Sequence, residues 1–98
     1  MSFKDEYDFS LLTNEAEQLV INELEKQISE YSKDICLCED CVLDMATLAL
    51  NEIKPLYRVS LLGSLYAAHA MDEASYAKSV ITAVQKAIER VRKNPSHD

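Results

Sequence analysis

The sequence has no tryptophan, one glycine and two prolines in 98 residues. Glycine and proline punctuate strand ends and tight reversals, so a chain this poor in both cannot turn as often as a sandwich or barrel must. Long apolar runs are also missing: none approaches the roughly 20 residues of a membrane-spanning helix. The opening stretch SFKDEYDFS has neither the apolar centre of a signal peptide nor the Arg/Ser bias of a transit peptide. No run of Lys and Arg offsets a formal net charge of -7, a field that repels nucleic acid and anionic membrane surfaces. With two histidines and no nucleophile-elbow, phosphate-loop or HExxH pattern, the chain offers few acid–base constellations. These absences predict a cytoplasmic chain with no membrane span, no direct contact with nucleic acid and no enzymatic activity.

What is present is a chain with 48% apolar residues, enough for a core and too many for disorder. The expectation is an all-α fold: a compact domain of four to five helices over residues 13–98, preceded by an N-terminal arm over 1–12. The arm carries Phe3, Tyr7 and Phe9 without a helical period. Asn14, with Glu17 three residues on, has capping-box spacing, and Ala16, Leu19, Val20, Leu24, Ile28 and Tyr31 recur mostly at three- and four-residue steps. They predict a helix over 14–31. From Asp40 or Cys41 a second helix reaches Ile53, with Val42, Leu43, Met45, Ala46, Leu48, Ala49 and Leu50 so widely spread that it should be buried on most sides. Pro55 ends it, KPLYRVSLLGS follows as an extended connector, and LYAAHAM has room for a helical turn or two. Asp72 or Ser75 can cap a last helix whose Tyr76, Val80, Val84, Ala87, Ile88 and Val91 face one way until NPSHD stops it. Adjacent apolar pairs, such as Val20 with Ile21 and Val80 with Ile81, give the helices more apolar width than one small core uses, which predicts a homodimer.

All the cysteines of the chain lie in ICLCEDC, residues 35–41. Packing alone does not require three small thiols side by side, and in a reducing compartment an odd cluster points to metal binding or reactive chemistry. The leading reading is a structural zinc site, one ion per chain, with Cys36, Cys38 and Cys41 as thiolate ligands in a knuckle between the first two long helices. Close ligand spacing lets a short turn wrap the ion at little loop-closure cost. The fourth ligand is left open among His69, His97, a carboxylate, water and a residue of a second subunit, with His69 the best placed. A redox-active CxxC, an iron–sulfur cluster, three buried small hydrophobes and a catalytic zinc are the alternatives. On the connector, Asn51, Tyr57, Arg58 and Ser60 supply donors and an aromatic face of the kind a nucleotide site uses. Their purely structural roles would be Asn51 anchoring the helix end, Tyr57 in the core and Arg58 in solvent.

Asn14, Glu17 and Val20, then Cys36, Cys38 and Cys41, then Asp44, Ala49, Leu50, Asn51, Pro55, Tyr57, Ser60 and Gly63, and finally Asn94 and Pro95 form a pattern running from residue 13 to near the end of the sequence. It closely resembles the ComFB family of late competence development proteins. The resemblance implies a small helical cytoplasmic homodimer that binds zinc through its cysteines and is encoded with DNA-uptake genes, with other competence proteins as partners. Related cyanobacterial proteins look like receptors for cyclic dinucleotides, which makes regulation by cyclic di-AMP or cyclic di-GMP the alternative function. Glu52 stands where many relatives have arginine, and a carboxylate there repels a phosphate that an arginine would pair.

Overall fold

The computed structural model describes residues 2–31, 34–59 and 73–95. Among these residues the chain is helical, with one minimal pair of strands. Helix α1 spans Phe3–Glu6 and a 3-10 turn spans Phe9–Leu11; strand β1 (Thr13–Asn14) leads into α2 (Glu15–Ser29). Helix α3 spans Glu39–Glu52, strand β2 Tyr57–Arg58, and α4 Glu73–Lys93. The arm is thus more ordered than a chain without periodicity suggests. Its three rings stand with centroids 4.9 to 6.3 Å apart, and Phe3 and Tyr7 remain more than half exposed.

The three long helices form one core. Ala16, Val20 and Leu24 face it from α2 and Cys41, Met45 and Ala49 from α3, each set stepping by four residues along one stripe. Helix α4 supplies Val80, Ala83, Val84, Ala87, Ile88 and Val91, a stripe two residues wide that packs against both other helices. This corrects one expectation: α3 is not buried on most sides, since Leu43 is 58% exposed and Val42, Ala46, Leu48 and Leu50 are only half-buried. In a bundle of three helices each contributes one inward stripe, and the remaining apolar positions of α3 lie at its margins. Leu19 on α2 likewise turns outward. On α4, Ser75 lies inside the helix rather than at its cap, and Asp72 lies outside the described residues, as do Gly63 and the LYAAHAM segment.

Helix α2 begins where the sequence marks it. The Asn14 side chain accepts the Ala16 backbone N–H at 3.1 Å, satisfying one of the donors that a helix start leaves open. The same oxygen accepts the Leu56 N–H at 2.8 Å, and Glu15 N–H donates to the Leu56 carbonyl, also at 2.8 Å. Next to this joint, β1 and β2 pair antiparallel, Thr13 opposite Arg58 and Asn14 opposite Tyr57. Helix α3 stops three residues short of Pro55, with Ile53 already extended, as the steric demand of proline on its predecessor requires. The Tyr76 hydroxyl then donates to the Lys54 carbonyl at 2.5 Å, tying the start of α4 to the same connector.

Candidate metal centre and connector site

The three thiols reach one place by two routes. Cys38 is the N-cap of α3, with extended backbone (φ -69, ψ 161), and its Sγ accepts the Cys41 N–H at 3.4 Å. The Cys38 carbonyl accepts the Val42 N–H at 3.0 Å, so the helix hydrogen bonding starts at this residue. Cys41 is in the first turn and fully buried, one of the α3 core positions. A helix start therefore fixes Cys38 and Cys41 relative to each other. Cys36 comes from the irregular segment before the helix and rests, half-buried, against the same core as Ile35 and Cys38.

The Sγ atoms of Cys36, Cys38 and Cys41 all lie within 4.8 Å of one another, and none is in a disulfide. Three soft donors converging on one point can hold a metal ion. The surrounding field is mixed. Glu39 and Asp40 stand in the first turn of α3, where the positive helix end favours carboxylates; that end favours thiolates as well, while the two carboxylates oppose the build-up of further negative charge beside them. The sequence pattern places Cys41 at the start of the helix, whereas the structure puts Cys38 at the cap and Cys41 inside the first turn. That difference makes Cys38 a capping group as well as a donor. Leu37 and Leu43 flank the cluster, both more than half exposed.

The connector residues do not gather in the same way. Asn51 is exposed on the last turn of α3, next to exposed Glu52. Tyr57 is 61% exposed, so its ring is not a core element; it belongs to a two-residue ladder at the surface. Arg58 is placed by its pairing with Thr13. Ser60 lies outside the described residues, as do the histidines at 69 and 97. Two features escaped the sequence reading. Asn14 was legible as a cap but not as a bond to Leu56, and Tyr31, legible as a core position, also donates its hydroxyl to Glu89 at 2.7 Å. The partners lie 42 and 58 residues away, beyond any local spacing rule.

Residues 13–95 match the family model described as late competence development protein ComFB. The chain belongs to the ComFB family. The match takes in the capped start of α2, the cysteine knuckle, the connector and all of α4. Among solved structures the chain is similar to the late competence protein ComFB from Bacillus subtilis, at 20% identity over 87% of this chain and 92% of that one, with a TM-score of 0.69. At that identity the likeness is one of fold: the ComFB architecture persists although four in five aligned residues differ. No individually curated protein matches the chain. No helix among the described residues is long and apolar enough to cross a membrane.

Proposed function

We propose that this ComFB-family chain is a non-enzymatic, dimeric accessory protein of the cytoplasm, stapled by one zinc ion per chain and acting with other competence proteins in DNA uptake. The observation that carries the zinc reading is the convergence of three thiol sulfurs within 4.8 Å at the cap of α3. Tetrahedral Zn–S bonds of about 2.3 Å place sulfurs about 3.8 Å apart, so each pair needs to close by at most about 1 Å. Cys36, Cys38 and Cys41 would hold the ion, and binding it contributes directly to folding free energy in a chain of this size. The Cys38 cap and the core position of Cys41 prearrange two of the three donors, which lowers the ordering cost. The dimer reading rests on exposed apolar residues of the long helices, Leu19, Ile21, Leu43 and Ile81. The competence role rests on family membership. Elemental analysis of protein purified without added metal tests the staple: one zinc per chain supports it and none overturns it. Sedimentation at micromolar concentration tests the dimer, which a monomer would refute.

The exposed Tyr57 ring favours a second reading, a receptor for cyclic di-AMP or cyclic di-GMP. An aromatic face open to solvent can stack on a base, which a core tyrosine cannot. Exposed Glu52 works against it by repelling phosphate. Thermal stabilisation by either nucleotide in large excess would favour this reading, and an unchanged melting curve with both would remove it.

A further inference from the structure

The N-terminal arm combines acid with exposed apolar surface. Phe3, Tyr7, Phe9, Leu11 and Leu12 are each between 48% and 67% exposed. With Val59, just past β2, they wall an open hollow of about 320 Å³, and Asp8 also lines it. A cavity of ~150 Å³ takes a benzene ring, so this hollow has room for a branched aliphatic side chain. Asp5, Glu6 and Asp8 lie among the same residues, all three exposed and in no ion pair. The outward face of α4 has the complementary character. Lys78, Lys86, Arg90 and Lys93 are exposed and in no ion pair among the described residues, whereas Arg92 is held by Glu89. Ile81, one turn on from Lys78, is 43% exposed, so the arm of its own chain leaves it open. A net charge of -7 repels an extended polyanion from this helix, while a short acidic segment with apolar side chains meets both its cations and Ile81. The chain itself supplies such a segment. It lies before the residues 13–95 that match the family model, so the pairing is not a property of the matched unit.

We propose that the arm of one protomer docks on α4 of a second copy, with Ile81 seated in the hollow and Asp5, Glu6 and Asp8 facing Lys78 and Lys86. The contact is reciprocal, each copy giving an arm and receiving one, so it closes at two chains. This rests on the dimer reading given above and names the segment that makes the contact. Burial of Ile81 against the rings supplies the attraction, and the charges set the orientation and choice of partner.

The test is the dimer dissociation constant of the full-length protein, measured by sedimentation, for Asp5→Lys/Glu6→Lys, Lys78→Glu/Lys86→Glu and Ile81→Asp, all at exposed positions. Each should weaken the dimer about tenfold. Reversing the two arm acids adds two units of charge at each position and brings the net charge from -7 to -3. General repulsion would then be smaller and association tighter, so a weaker dimer reports the local contact. The two charge-reversed proteins, mixed in equal amounts, should pair with each other to within about threefold of wild type, because each offers an arm of the sign that the other's α4 takes. A contact within one chain would not recover on mixing. Wild-type affinity in the arm-reversed protein, or no recovery in the mixture, overturns the inference, while the wild-type dimer keeps the reading on which it rests. A wild-type protein that stays monomeric at micromolar concentration overturns both.

Discussion

The two ends of α3 meet the same requirement by different chemistry. At its C-terminal end the departing chain is caught by an amide oxygen: Asn14 Oδ1 takes the Leu56 N–H and the Ala16 N–H together, and the β1–β2 pair continues the seam. At its N-terminal end the arriving chain is caught by sulfurs, of which Cys38 caps the helix through one long N–H···S contact. Oxygen saturates its partners with bonds already present in the folded chain, whereas sulfur is a weak acceptor. Three thiols side by side gain most of their value when something binds them all. One end of α3 is closed by the polypeptide itself, and the other gathers three thiols that can hold a metal ion.

The sharpest way to break that comparison is to test the proposed metal. A strong chelator, or Cys38→Ser, should lower the melting temperature by about 10 °C or more, because metal binding to a small domain is folding free energy. Equal melting with and without chelator would mean that the sulfur end closes unaided. Met45→Ala cuts the core between the two ends, where the side chain is fully buried. It should cost about 2–5 kcal/mol in denaturant titration through the cavity left behind. Asn14→Ala strikes the oxygen end alone, stripping a cap and leaving the Leu56 N–H without its acceptor. A loss of about 1–3 kcal/mol with the metal content unchanged is expected, and loss of metal as well would show that the ends are coupled. Tyr57→Ala, exposed and outside the core, should change stability by less than about 0.5 kcal/mol.

The smallest effect is one of pH. Tyr31 is raised above its ordinary value of 10.0 mainly by donating to Glu89, and Tyr76 is raised by burial. For a phenol whose folded pKa exceeds its unfolded one, the stabilisation is complete below the unfolded value and disappears as pH rises through the folded one. Stability measured by denaturant should therefore fall from about pH 10 upward, and Tyr31→Phe should remove part of that slope while leaving the share due to Tyr76.

Much of this was legible because the helices obey their period. Ala16, Val20 and Leu24 on α2, and Val80, Val84, Ala87, Ile88 and Val91 on α4, could be read as core from spacing alone, and the structure buries them all. Ala83 was overlooked although it lies beside Val84 on the same inward face and is buried. Leu19 and Leu43 misled in the opposite sense, since hydrophobicity states a preference for burial and only the angular position on the helix decides it. For the thiols, the clustering was visible in the sequence and the helix start explains how Cys38 and Cys41 come together, while Cys36 joins them from the irregular segment before it. The long-range bonds were not legible, because the pairing of Tyr31 with Glu89 depends on how α2 lies against α4, and no local rule encodes that.

Asn14 has a practical corollary for anyone dissecting the protein. A fragment that begins at residue 15 would retain every inward-facing side chain of α2 from Ala16 onward, and by hydrophobic content it would look complete. It would nevertheless lack the Asn14 oxygen that caps the first long helix and holds the Leu56 N–H, one of the two hydrogen bonds described across that joint, the other being that of the Glu15 N–H to the Leu56 carbonyl. On that side the fold depends on a hydrogen-bond acceptor as well as on the core, and a product of limited proteolysis trimmed past Asn14 should be less stable, by about 1–3 kcal/mol, than one trimmed as far as Thr13.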